Sequence, residues 1–183
     1  MKRRTVFKHL AMASAAAWLL PACVSDPERV SIALNHLRVT GDEEALLAAI
    51  ADVLIPATDT PGALDVKAHL FTLVMVDDCL SKEKQEKFLA GMRRFEDVLR
   101  STSGKKFSNA SQEERVEMLT AFEEGMAASD EEIKVFYQQA RAYIIQGYTS
   151  SQHFLTEIKP YQLVPGPGYN GCASVTEDLK TIS

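Results

Sequence analysis

The chain reads as an all-α bundle of about five helices, continued by an extended C-terminal arm rich in Pro, Gly and Tyr. Three observations carry that reading. Apolar residues recur at helical spacing through most of residues 42–147. Two capping boxes announce helix starts. No alternating apolar–polar run competes with the helical pattern.

Each element has its own signal. In the first helix, from Asp42, the residues Leu46, Leu47, Ile50, Val53 and Leu54 follow the i, i+3/i+4, i+7/i+8 rule, and Pro56 stops it. Pro56 to Gly62 is a run of turn formers, with Asp59 in Thr58-Asp59-Thr60 expected to bond nearby amides. A second helix is expected over Val66 to Leu80, with Phe71, Val74, Met75 and Cys79 inward. Cys79 would then act as a small buried hydrophobe. The third, Lys82 to Leu99, places Phe88, Met92, Phe95 and Leu99 on one face. Ser111-Gln112-Glu113-Glu114 opens the fourth and Ser129-Asp130-Glu131-Glu132 the fifth, in each case by satisfying orphan amides at the helix start. Val116, Leu119, Phe122 and Met126 form one stripe. Ile133, Phe136, Tyr137, Ala140 and Ile144 form the other, which Gly147 is expected to end. Such stripes are ordinarily core.

The expected organisation is therefore a leader over residues 1–23, a connector over 24–41, the bundle over 42–147, and an arm and tail over 148–183. The connector carries Val30, Ile32, Leu34 and Leu37 without a clear period.

The leader has the three parts of an export signal: a basic start, an uncharged run of 13 residues from Leu10 to Ala22, and Cys23. The apolar run is too short to span a bilayer, which takes about 20 residues. Arg3 and Arg4, followed by Phe7 and Lys8, fit the twin-arginine pattern and point to a periplasmic destination. That route carries folded proteins. A 20.2 kDa chain seldom needs it for its own sake, so the chain is expected to fold around something or to take a folded partner along. Leu20-Pro21-Ala22-Cys23 is similar to a lipobox, leaving two outcomes open: acylation of Cys23 as a membrane anchor, or ordinary cleavage after Ala22.

The whole chain has a net charge of −5; without Lys2, Arg3, Arg4 and Lys8 the remainder sits at about −9. No basic cluster survives, which removes the electrostatic footing for nucleic-acid binding. Besides Cys23 only Cys79 and Cys172 are present, too few for an iron–sulfur cluster or a closed cysteine zinc site. The pair permits one disulfide, internal or from Cys172 to a partner. His36, His69 and His153 are widely spaced and fit no metal-ligand motif. Asp77 and Asp78, adjacent on a helix, point in different directions and make a poor acid–base dyad. No dinucleotide fingerprint, phosphate loop or nucleophile elbow is present. The sequence offers no catalytic, cofactor-binding or metal-binding set.

The arm differs in kind. From Ala142 to Thr176 only Glu157 and Lys159 are charged, yet Tyr143, Tyr148, Tyr161 and Tyr169 lie there. Low charge with tyrosine enrichment suits a protein–protein contact surface, and equally an arm packed on its own bundle.

Two strings in the chain resemble the gluconate 2-dehydrogenase subunit 3 family. One is Asp52-Val53-Leu54-Ile55-Pro56-Ala57-Thr58-Asp59-Thr60-Pro61-Gly62-Ala63. The other is Gly147-Tyr148-Thr149-Ser150, followed by Tyr161 and by Val164-Pro165-Gly166-Pro167-Gly168-Tyr169-Asn170-Gly171-Cys172. The resemblance covers roughly residues 43 to 173. It implies a non-catalytic small subunit of a flavin-dependent dehydrogenase of sugars or sugar acids. The large subunit of such a complex is of the glucose-methanol-choline type, binds FAD and lacks its own export signal. Electrons then pass to a cytochrome c subunit. The partner contacts so implied are Thr58, Asp59, Thr60, Pro61, Gly62, Tyr148, Tyr161, Pro165, Gly166, Tyr169 and Cys172. The competing expectation is a stand-alone periplasmic helical lipoprotein that binds a ligand or an envelope protein.

Overall fold

The computed structural model describes residues 30–126 and 130–159. The leader residues Arg3, Arg4, Phe7 and Lys8, the lipobox Cys23, and the arm residues Tyr161, Pro165, Gly166, Tyr169 and Cys172 lie outside the described residues. Among those described the protein is all-α, with no strand. Five α-helices follow one another: α1 (Gly41–Leu54), α2 (Ala68–Cys79), α3 (Lys82–Ser103), α4 (Gln112–Gly125) and α5 (Glu131–Thr149). A 3-10 turn, Phe107–Asn109, links α3 to α4, and a π-helical turn, Phe154–Ile158, follows α5.

Local chemistry accounts for the helix starts. Ser111 Oγ accepts from the Glu114 amide at 3.3 Å, and the Glu114 carboxylate accepts from the Ser111 amide at 2.9 Å, completing the expected capping box of α4. The same reciprocal pair, Thr40 with Glu43, caps α1. Its T-x-x-E pattern is plain in the sequence but was not among the expected starts. For α5 the cap position is Asp130, with no side-chain cap bond, and Ser129 lies outside the described residues.

The core sits where α5 packs against α3 and α2. Phe95 of α3 is its hub, with ring centroids 4.9 Å from Phe122, 5.5 Å from Phe136 and 5.8 Å from Tyr137. Edge-to-face and offset pairs of this kind add about 0.5–1.5 kcal/mol each beyond area burial. The Tyr137 hydroxyl donates to Glu123 Oε1 at 2.5 Å, giving the polar end of a fully buried ring a partner. Burial, and then the hydrogen bond to Glu123, hold the Tyr137 phenol well above its ordinary pKa.

The expected inward residues of α3 and α5 are all buried. Three details differ elsewhere. In α2 the buried side chains are Ala68, Thr72, Leu73, Val76 and Asp77, while Phe71, Val74 and Met75 are half-buried. Cys79 is exposed, not a buried hydrophobe, and Cys172, with which it could pair, lies outside the described residues. The reason is that α2 is apolar on nearly every side (AHLFTLVMV), so its period selects no face and packing against α5 does. In α4 only Leu119 and Phe122 are buried, and Val116 is 44% exposed. Finally, Gly147 does not end α5. The helix continues to Thr149, and Gly147 is buried at the crossing with α2, where an added Cβ would lie 2.9 Å from Phe71 Cδ1. The glycine is there for close helix approach, not for a cap.

Candidate docking site

The segment between α1 and α2 is the most definite surface feature of the fold. Pro56 closes α1, whose last amide, that of Ile55, donates to Ala51 O. The chain then leaves and returns: Ala63 N–H donates to Ile55 O at 2.8 Å, pinching the loop shut at its base. Inside it, Thr58 N–H donates to Thr60 O at 3.0 Å. At the exit, Gly62 N–H donates to Asp65 Oδ2 at 2.8 Å, and Ala68 N–H to Ala63 O at 2.9 Å. The carboxylate that secures a turn amide is therefore Asp65, not the expected Asp59, which stands exposed at the tip.

Gly62 is required by this pinch. A Cβ there would lie 2.5 Å from Ala57 N and 2.8 Å from both Ile55 O and Pro56 C, all backbone atoms that cannot step aside. Gly62 and Ala63 are buried, while Pro56 to Pro61 are exposed without exception. The outcome is a rigid loop held out from the bundle.

Tyr148, in the last turn of α5, braces it. Its hydroxyl donates to Pro61 O at 3.2 Å, and its ring meets Phe154 edge-on at 5.8 Å. Loop, helix end and π-turn thus meet at one pole of the bundle. Large apolar side chains on these elements are open to solvent: Leu64 at 37%, Ile145 at 41% and Ile158 at 46%. From Val135 to Thr156 the only formal charge is Arg141, which lies 3.8 Å from Glu123. The loop adds the exposed carboxylates of Asp59 and Asp65 and the π-turn that of Glu157, so the pole carries few charges, mostly acidic. It can offer shape, proline rings, carbonyls and hydroxyls to another protein.

The titratable groups that the sequence singles out elsewhere have differing surroundings. Asp77 and Asp78 do point apart: Asp78 is exposed, and Asp77, only 3% exposed, receives the amides of Asn35, His36 and Leu37. Gln85 Nε2 donates to the carbonyls of Val76, Asp77 and Leu80, capping the end of α2. His69, in the first turn of α2, is half-buried; burial lowers its pKa more than the Glu44 carboxylate raises it, which favours a neutral ring. His36 is exposed and His153 half-buried. Among the described residues no group of three or more His, Cys, Asp or Glu is arranged to hold a metal ion.

Of the residues singled out in the sequence, Thr58, Asp59, Thr60, Pro61, Gly62 and Tyr148 gather at this pole. Tyr148, expected in the arm, belongs to α5 and is largely buried against the loop. Sequence reasoning missed Asp65, Phe154 and the Ile55 carbonyl. Asp65 stands three residues after Gly62, a spacing that suits a side-chain bond back to a turn amide. The other two bear no local signal.

Taken together, the fold and this pole define a small helical domain with a rigid loop presented at one end. The chain belongs to the gluconate 2-dehydrogenase subunit 3 family, whose model matches residues 41–168. The match runs from the first residue of α1 through the loop and the pole and takes in Tyr161, Pro165 and Gly166; it stops short of Tyr169 and Cys172. No curated protein and no solved structure matches the chain.

Proposed function

We propose that this chain is the non-catalytic small subunit of a flavin-dependent dehydrogenase of sugars or sugar acids. The family match across the whole bundle carries this reading. On it, the catalytic subunit holds FAD and performs the redox chemistry, and electrons pass on to a cytochrome c. The small subunit supplies the twin-arginine leader that takes the folded, flavin-loaded partner to the periplasm. The charge-poor pole built from Thr58 to Gly62 and Tyr148 is its docking surface, extended by Tyr161, Pro165, Gly166, Tyr169 and Cys172 of the arm. A sparsely charged surface carrying exposed aliphatic groups suits a permanent partner better than a transient one. Acylation of Cys23 would tether the assembly to the membrane, since more than one acyl chain gives a stable anchor.

The test is co-expression of this chain with its large subunit, using the double variant Arg3→Lys and Arg4→Lys. The expected outcome is active wild-type complex in the periplasm and, with the variant, flavoprotein retained in the cytoplasm. Active large subunit in the periplasm with the variant would refute the escort role. A stable, unaccompanied monomer from the native envelope would favour the stand-alone lipoprotein instead.

A further inference from the structure

The tip of the loop between α1 and α2 carries a carboxylate that the rest of the fold does not use. Thr58 N–H donates to Thr60 O at 3.0 Å, closing a short turn with Asp59 at its apex. Asp59 is exposed, and among the described residues its carboxylate has neither a hydrogen bond nor an ion pair. Asp65 does the work of securing a turn amide, its Oδ2 accepting from Gly62 N–H at 2.8 Å. Lys67, where the loop enters α2, is exposed too and does not pair with Asp59. The backbone beneath Asp59 is nevertheless fixed. Ala63 N–H on Ile55 O closes the base of the loop, and the Tyr148 hydroxyl on Pro61 O braces its flank.

The hydrogen-bonding groups of this loop are lopsided. Pro56 and Pro61 have no amide to donate, and the Thr58 amide is spent on Thr60. Against these stand a carbonyl at every position from Pro56 to Pro61 and the Asp59 carboxylate, an acceptor with about four lone-pair sites. A surface short of donors and rich in acceptors is matched by a group that is all donors and positively charged. A guanidinium answers that description. Its planar fork binds a carboxylate through two parallel N–H groups and has further N–H groups left for carbonyls. An ammonium brings the charge without the fork.

We propose that Asp59 is the charged anchor of the docking pole, received by an arginine in a recess of the catalytic subunit. This rests on the docking role of the pole, and adds the residue that fixes the register and the chemistry of the surface it meets. An exposed ion pair is worth little. Between docked surfaces, with the rings of Pro56 and Pro61 helping to exclude water, the same pair is desolvated. Removing one member then leaves the other buried and unpaired, which speeds dissociation.

The test measures binding of the large subunit to the full chain, as wild type, Asp59→Asn and Asp59→Lys, at low and at high salt. Melting temperatures of the three free chains are expected to be equal, because the carboxylate has no bond within the fold. A clearly lower value for Asp59→Asn would show that it works inside the chain, and would overturn the anchor. Dissociation at least tenfold faster for Asp59→Asn is expected, faster again for Asp59→Lys through repulsion, with less salt dependence in the Asn variant. Equal dissociation of wild type and Asp59→Asn would sink the anchor alone. Acetylating the lysines of the large subunit beforehand should leave the ratio of wild type to Asp59→Asn as it was. A ratio that collapses to one, or loss of all capture, would assign the site to a lysine and overturn the arginine. If untreated large subunit is not captured by wild-type chain, the docking reading itself has failed, and the anchor with it.

Discussion

The hydroxyl of Tyr148 donates to the carbonyl of Pro61 across 87 positions of sequence, at 3.2 Å. This bond ties the end of the last α-helix to the exposed loop after the first one. It explains how six consecutive exposed residues, Pro56 to Pro61, keep a defined shape. Tyr148 is thereby a support of the loop, with its ring stacked edge-on to Phe154 and little of its surface left for a partner.

Tyr148→Phe keeps the ring and deletes the bond. The expected loss is about 1 kcal/mol, the usual net value of a single neutral hydrogen bond. Urea unfolding should show a lower midpoint with an unchanged slope. Amide exchange should quicken at Thr58, in the loop next to Pro61, and stay unchanged at Phe95 in the core. An equal loss of protection at both would mean that the bond does not act locally on the loop.

Gly62→Ala should be more damaging. The new methyl group meets backbone atoms at 2.5 and 2.8 Å, so the pinch between Ile55 and Ala63 must open. Forced overpacking of this kind costs about 1–3 kcal/mol. The readouts are the unfolding midpoint and recovery of the large subunit on affinity-tagged chain. A variant as stable as wild type would show that the loop relaxes at no cost, contrary to its geometry.

A pH effect follows from Asp77. Burial opposes its ionisation, but the amides of Asn35, Leu37 and His36 outweigh that and bring its pKa below the ordinary value. Its folded-state pKa is thus lower than its unfolded one. The stability it contributes is present above the unfolded value, about 3.9, and is lost as pH falls through the folded value. Unfolding midpoints measured from pH 7 down to pH 2 should fall more steeply for wild type than for Asp77→Asn at the acid end. Parallel curves would remove Asp77 as the source.

Much of the bundle was legible from short stretches of chain. The Ser111–Glu114 box, the stop at Pro56, and the inward residues of α3 and α5 all depend on neighbours within one or two helical turns, or on a stripe with a polar back. The loop between α1 and α2 was legible too, because Pro56, Pro61 and Gly62 punctuate it chemically. Its anchors were not: Gly147 has the local look of a helix end, which puts Tyr148 in the arm. That glycine serves a helix crossing, and a crossing has no local signature.

By itself, then, the amino-acid order determined the helical class, most helix positions and the turn chemistry between α1 and α2. These are short-range matters of dihedral preference, capping and period. Tertiary structure alone decided which side of the uniformly apolar α2 faces inward, that Cys79 faces solvent, that α5 runs on to Thr149, and that Asp77 holds the connector. Each of those outcomes is set by groups tens of residues apart in sequence, whose proximity exists only after the helices have packed.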